Sequence, residues 1–478
     1  MKSFLYKIAQ VILLLVLIPA WGICQDIPDF FDTEFETYGF DFNGNGARAM
    51  GMGNAYLGVS DDINAVTWNP AGLFKMESPI IGFSYTSLSA RGQFSSQRLN
   101  STPVSLPSER IVLDHGASID ALTSLNFLAP LRIKGHPFVG SIAYSRNSNE
   151  FQKQGYKFDF LELFPIFNEV GTFLFTDTVL GNVNTTTELR GGIESVNIGF
   201  GTRVYSNLAF GTCLNVYSGK IQRSSNSIGL APGIPINNFQ HGYGTIYQNQ
   251  IDSNSFSGFN ATVGLKLDGA KFDAGLVVRT PFSLNQKGEE VSIEIVDLNG
   301  VAFITDTTFR IDLLTKYDIP LMVGFGVGYQ YRENWLFAAD MEYRNFSSSK
   351  IKIRENLILV PGGNNIEEFR VLDNSQWQWS NVFIVRAGTE YLKETSVGTI
   401  PLRAGLGYVP LPTPNVDVNG NRSTSVSYQF SVGTGIHWNQ IKLDLGYMYK
   451  TYNLESGGFI AEENSQNHFL IASFTGYF

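Results

Sequence analysis

The chain has 478 residues, a formal net charge of −9, 48 glycines, 13% aromatic residues and only 16% charged residues. An acidic balance of this kind argues against nucleic acid as a partner. The two cysteines, Cys24 and Cys213, offer no disulfide framework and no zinc or iron–sulfur ligand set.

Lys2 and Lys7 precede an apolar core from Ile8 to Ala20, and Gly22-Ile23-Cys24 lies where a signal peptidase reads small residues. Residues 1–24 are therefore expected to be an export signal cleaved before Gln25. A lipid on Cys24 is the alternative, but the bulky Ile23 stands where a lipoprotein signal wants a small residue. Removal of Lys2 and Lys7 leaves a net charge of −11, with Cys213 as the single cysteine. After the signal no apolar run is long enough to cross a bilayer as a helix, whereas a β-barrel needs none. The length fits either two or three soluble domains or one barrel.

Residues 43–73 read NGNGARAMGMGNAYLGVSDDINAVTWNPAGL. Glycines at 44, 46, 51, 53 and 58, then Asp61-Asp62 and Asn69-Pro70-Ala71-Gly72, favour tight turns over any sustained helical or strand period. Such a segment folds poorly alone. Its place before a long series of amphipathic strands predicts a plug, over residues 25–78, inside a barrel formed by 79–478.

The strand pattern decides between barrel and soluble domains. Val426, Tyr428, Phe430, Val432, Thr434, Ile436 and Trp438 alternate with Ser427, Gln429, Ser431, Gly433, Gly435 and His437, and Ile441 to Tyr449 repeats the alternation. Soluble sandwiches alternate too, but over shorter strands and without such regular outward aromatics. Strands are expected near 79–91, 118–128, 137–147, 190–205, 207–222, 255–267 and 271–284. Seven more are expected near 319–331, 334–346, 381–391, 400–409, 425–437, 440–452 and 466–478. The class is all-β: a transmembrane antiparallel barrel of about fourteen strands in the outer membrane, even-numbered as single-chain bacterial barrels require. Tight turns at Ser206, Asp268-Gly269-Ala270, Arg332-Glu333 and Trp438-Asn439 alternate with long connections at 92–117, 148–189, 223–254, 285–318 and 347–380, which are expected to be outer loops. Val291–Ile295 is taken as a hairpin within one of them. The last strand places Leu470, Ala472, Phe474, Gly476 and Phe478 on one face. Its terminal phenylalanine resembles the signal read by the barrel-assembly machinery, a partner during biogenesis; an ordinary edge strand is the plain alternative.

GARAMGMGNAYLGVSDDINAVTWNPAGL at 46–73 resembles the hatch of the FadL/TodX family of outer-membrane transporters, with Asn69, Pro70 and Ala71 matching the hatch motif. AGLVVRTPFSL at 274–284 and IPLRAGLGYVPLPTP at 400–414 are similar to strand-and-turn signatures of the same family. The resemblance implies a fourteen-stranded barrel plugged by an N-terminal hatch. It also implies passive uptake of hydrophobic small molecules such as long-chain fatty acids or aromatic hydrocarbons, captured at the outer loops and released sideways into outer-membrane lipid. Physics supports that route, because keeping a hydrocarbon chain out of water is worth about 0.8 kcal/mol per methylene. Some relatives with this barrel look like secretion-system shuttles that bind exported proteins, which is the second functional class.

Two sets of residues are candidates for ligand contact. Phe158, Phe160, Phe164, Phe167, Phe173 and Phe175, with Leu161, Leu163, Ile166 and Leu174, make 147–189 unusually apolar for a solvated loop. Self-packing or contact with a partner protein explains them equally. Alternation turns Arg203, Arg279, Arg386 and Arg403 towards the lumen, where a guanidinium is suited to a carboxylate head group; more often such arginines pair with acids of the plug, such as Asp61 and Asp62. Enzyme signals are thin. GNGARA at 44–49 has no preceding strand, and the glycines of GFGVGYQY at 324–331 merely alternate along one. The five histidines lack metal-ligand spacing, so no metal or cofactor is expected, and no motif pairs His468 with a serine as a lipase would require.

Overall fold

The computed structural model describes residues 44–97, 110–133, 136–167, 173–237, 240–298, 301–360, 366–372, 379–417, 421–456 and 460–478. The expected export signal and the plug residues 25–43 lie outside them.

Period-2 alternation builds the wall. On the strand Arg422–Trp438, Tyr428, Phe430 and Val432 are each about half exposed, whereas Ser427, Gln429 and Ser431 are buried. The apolar face looks out and the polar or small face looks in, as a barrel wall between lipid and a filled lumen demands.

Among the described residues eighteen strands form one antiparallel sheet. In chain order they begin with β1 (Ile80–Gln97), β2 (Arg110–Ile133), β3 (His136–Phe167), β4 (Phe173–Tyr205), β5 (Leu208–Asn237) and β6 (Gln240–Asp268). Next come β7 (Phe272–Arg279), β8 (Phe282–Leu298), β9 (Val301–Ile319), β10 (Met322–Arg332), β11 (Trp335–Arg344) and β12 (Ile351–Val360). The last are β13 (Ile366–Leu372), β14 (Val382–Thr395), β15 (Gly398–Val416), β16 (Arg422–Trp438), β17 (Ile441–Ser456) and β18 (Ile460–Tyr477).

Fourteen of these close the barrel. Pairing runs from β1 through β7, on to β10 and β11, then from β14 through β18, and Ile80 opposite Tyr477 brings β18 back to β1. The remaining four, β8, β9, β12 and β13, are side branches: β8 pairs with β6, β9 with β8, β12 with β9 and β13 with β12.

The long outer connections depart from expectation. Much of 148–189, 223–254 and 285–318 is paired strand rather than loop. The β3–β4 hairpin keeps its ladder as far as Phe167 opposite Phe173. Composition hides this, because stretches such as RSSNSIGLAPGIPIN carry the Ser, Asn, Gly and Pro of loops. Their backbones are nonetheless satisfied across the ladder, helped by hydroxyl pairs such as Thr185 with Ser227 at 2.9 Å and Thr187 with Ser225 at 3.0 Å. At the outer end, Phe346, Ile351, Trp379, Val382, Ile384 and Val409 close a small apolar core where the branches leave the wall.

Candidate functional site

Residues 44–76 lie within the wall as a compact set of turns around two short helices, α1 (Ala47–Gly51) and α2 (Ala65–Trp68), and a 3-10 helix, Pro70–Lys75. Gly53 and Asn54 take the left-handed conformation with φ of 66° and 62°, which reverses the chain directly after α1. Trp68 meets Tyr56 edge to face with ring centroids 5.9 Å apart and donates its indole N–H to the Asn45 carbonyl. Met52, Tyr56, Leu57, Val66, Trp68 and Leu73 are fully or almost fully buried.

The plug meets the wall backbone to backbone. A Cβ added to Gly405 of β15 would fall 2.1 Å from the Gly53 nitrogen, and one on Gly211 of β5 would fall 2.2 Å from the Ala71 nitrogen. Gly326 of β10 faces Gly58, Gly388 of β14 faces Met52, Gly433 of β16 faces Gly51, and Gly446 of β17 faces Ala47. Gly199 of β4, Gly264 of β6 and Gly275 of β7 receive Val66, Asn69 and Leu57, while Gly82 of β1 receives Ile63. Hydrogen bonds supply three further strands: Asn126 of β2 donates to Asn64 at 3.1 Å, Asp340 of β11 accepts from the Leu57 N–H at 2.7 Å, and Ser473 of β18 accepts from the Ala47 N–H at 2.9 Å. With Val139 and Ala143 of β3 packed into the cluster around Leu73, the plug touches all fourteen barrel strands.

Charge fastens one side. Arg48 donates to Glu390 of β14 at 2.8 Å and to the Tyr56 hydroxyl at 3.0 Å, and pairs with Asp61. Arg403 of β15 continues the chain, reaching Glu390 at 2.6 Å and Asp444 of β17 at 2.7 Å, and Asp444 also meets His437 at 3.1 Å. Within the plug, burial pushes the Asp61 carboxyl up, but Arg48 first, then Lys266 and Lys75, outweigh it and leave the group below its ordinary value. Asp62 is pushed up, because burial outweighs what Arg48 and the Tyr56 hydroxyl supply. Burial likewise raises the Tyr56 phenol well above its usual range.

The other side is fastened mostly by bonds to backbone carbonyls, with Lys75 paired to Asp268 at 2.7 Å. Asn69 donates from its amide to the carbonyls of Leu57 at 3.0 Å and Leu265 at 3.2 Å, and its own oxygen accepts from the Ala71 N–H at 3.2 Å. That last bond caps the 3-10 helix, which Pro70 starts without needing a donor. Lys266 of β6 donates to the Gly58 carbonyl at 2.6 Å, and Arg279 of β7 donates to the Thr67 carbonyl at 2.9 Å.

The sequence-selected arginines fall into this scheme unequally. Arg403 holds Glu390 and Asp444, Arg386 pairs with Glu342 at 3.1 Å, and Arg279 binds plug backbone. Arg203 lies at the tight-turn end of β4, exposed, with its guanidinium 4.9 Å from the Phe74 ring centre and 3.8 Å from Asp268. Asp61 and Asp62 bond within the plug, to Arg48 and Tyr56, and not to wall arginines. Phe158, Phe160, Phe164 and Phe167 sit on β3, and Phe173 and Phe175 on β4; their backbones are paired, and their side chains lie outside what is described. His468 accepts or donates at 2.8 Å with the Tyr447 hydroxyl. Among the described residues no group of acidic, His and Cys side chains is placed to hold a metal.

Sequence reasoning missed Asp340, Glu390, Asp444 and Lys266, and it missed the glycine seat. The signal was present in the repeated G-x-G of NIGFGTR, GFGVGYQY, RAGLGYV and SVGTGIH, where glycine recurs at inward positions.

Solved structures share this architecture. The toluene transporter TodX of Pseudomonas putida superimposes with a TM-score of 0.56 at 14% identity, covering 92% of this chain and all of that one. The chain has the FadL/TodX fold. A Pseudomonas aeruginosa FadL homologue aligns with a TM-score of 0.55 at 13% identity over 92% of this chain and 100% of its own. The monoaromatic hydrocarbon channel CymD gives 0.54 at 12% identity over 92% and 99%. A closed FadL/TodX wall with an apolar outer belt is an outer-membrane β-barrel. The family model described as BamG matches residues 161–361, from the far part of β3 through β12. No curated protein matches the chain.

Proposed function

We propose that this barrel takes up hydrophobic compounds, such as long-chain fatty acids or aromatic hydrocarbons, passively across the outer membrane. Capture occurs at the outer extensions, the plug gates passage, and release is sideways into the bilayer. The observation that carries this reading is the turn-rich segment 44–76 seated against all fourteen strands, within a fold shared with a toluene transporter and a monoaromatic hydrocarbon channel. The test replaces Phe158, Phe160, Phe164 and Phe167 together with serine and follows uptake of a labelled fatty acid or alkylbenzene in cells lacking the native protein. Each aromatic contributes roughly 1.5–3 kcal/mol when fully desolvated, so uptake should fall at low substrate concentration and recover in excess. Unchanged uptake at equal surface abundance would remove these residues from the entry route.

A second reading is favoured by the BamG match, whose span takes in most of the paired outer extensions and the side branches β8, β9 and β12. Those ladders would then dock a protein, as a component that works with the barrel-assembly machinery. Copurification separates the readings: a bound acyl or aromatic ligand supports uptake, barrel-assembly proteins support the second, and an exported protein would point to the secretion-shuttle class.

A further inference from the structure

The outer wall carries a depression of about 580 Å³ that faces the bilayer and not the lumen. Two neighbouring rows of cross-strand partners form it. One runs Phe337, Thr389, Ala404, Val432, Tyr447 across β11, β14, β15, β16 and β17, and the other runs Ala387, Leu406, Phe430, Tyr449 from β14 to β17. Ala387, Thr389 and Ala404 make the floor because they are short, and the aromatic and branched neighbours stand up around them. Directly behind that floor, Gly388 and Gly405 lie against Met52 and Gly53, so the wall is drawn onto the plug where it is hollow outside.

We propose that this depression binds one acyl chain of an inner-leaflet phospholipid, with the lipid phosphate on Lys393. The outward row of β14 runs from Ala387 and Thr389 through Tyr391 to the exposed Lys393, close to the tight turn that follows β14. Lys393 lies four residues beyond Thr389, roughly 13 Å along the strand, a spacing on the scale of an extended acyl chain. The lining is almost wholly apolar, which suits a hydrocarbon, and the hydroxyls of Thr389 and Tyr447 are already bonded, to Leu336 and Trp335 and to His468. Every strand under the depression is paired on both sides, so no edge is free for a protein segment to join by β-addition. The site does not depend on the uptake function and stands on the wall geometry alone.

Native mass spectrometry of the detergent-purified full chain tests it. Wild type should retain phospholipid, the filling variant Ala387→Phe/Ala404→Phe should lose most of it, and Lys393→Glu should lower retention several-fold. Leu443→Phe, on the same belt outside the depression, should change nothing. Heat-modifiable gel migration identifies barrels that have assembled. Brominated-chain phospholipid provides a second measurement on reconstituted wild type, because Trp335 stacks on Phe337 with centroids 5.4 Å apart. The Trp335 emission, taken as the difference from Trp335→Phe, should be quenched more than that of Trp438, and filling the floor should remove the excess. Equal lipid retention in the filled variant, or equal quenching at both tryptophans, would overturn the proposal. A protein retained in place of lipid and displaced by filling would overturn it in favour of a docking surface.

Discussion

The two sides of the plug are held by different physics. Around α1, Arg48 sits between Glu390 and Asp61, and Arg403 carries the pairing on to Asp444. Around Asn69 and Pro70 most bonds run to backbone carbonyls, Asn69 to Leu57 and Leu265 and Arg279 to Thr67, with Ala71 against Gly211, and the ion pairs of Lys75 with Asp268 and Asp273 are only half-buried at its end. Buried charges are strongly destabilising when one partner is removed, whereas neutral amide contacts lose less. One side is thus a latch that electrostatics can open. The other is a fixed bearing set by shape.

Both sides share the glycine seat, so the largest effects should come from filling it. Gly211→Val and Gly405→Val place side-chain atoms where Ala71 and Gly53 backbone already lies, and backbone cannot move aside as a flexible side chain would. Each variant should assemble as a barrel with its plug displaced. Conductance in planar bilayers for small polar solutes should then approach that of a chain lacking residues 43–73. Wild-type conductance in both would mean that the plug does not occlude the pore, and a leak in only one would show which side carries the seal.

Single side-chain removals should separate latch from bearing. Arg48→Ala takes the nearest cation from Asp61 and leaves Glu390 with Arg403 alone; breaking a fully buried pair costs about 3–5 kcal/mol, and this half-buried one less. Asn69→Ala frees two carbonyls and one N–H, each costing about 1–3 kcal/mol where it is left unsatisfied, so the two losses are of similar size. Urea titration of protease access to residues 44–76 should show both variants releasing their plug at a lower concentration than wild type, and earlier release of the Arg48 variant would rank charge above shape. The reverse order would make shape, not charge, the stronger fastening.

The barrel was far more legible in the chain than the plug's fastening. Each of the fourteen wall strands leaves a period-2 trace, and turn residues such as Asn439, with φ of 50°, punctuate it locally. The extensions left no such trace, because β5 and β6 beyond the wall are written in serine, asparagine, glycine and proline and are held by ladder pairing alone. Parity also revealed that Arg386 and Arg403 face inward. It could not reveal their partners: Arg48 and Glu390 are 342 positions apart, and only closure of the barrel brings them together. The role of Asn69 was visible because its cap on Ala71 is local, while its bond to Leu265 spans 196 positions and was not.

Acid gives the smallest effect, and it acts on the latch alone. Asp61 is held below its ordinary carboxyl value, so its pairing with Arg48 is fully present above that value and is lost as pH falls through the depressed one. Asp62 is raised and works in the opposite sense, since protonation on the way down relieves the cost of burying its charge. Their windows do not overlap: the change at Asp62 falls above the ordinary carboxyl value of about 4 and favours the seated plug as pH falls, whereas the loss at Asp61 falls below it. Conductance should therefore stay flat on acidification to about pH 5 and rise modestly below about pH 4. Asp61→Asn should remove that rise, because the neutral amide no longer titrates, while Asn69→Ala should shift the baseline and leave the acid step in place. An acid step that survives Asp61→Asn would assign the response to Glu390 or Asp444 on the wall and move the latch from the plug to the barrel.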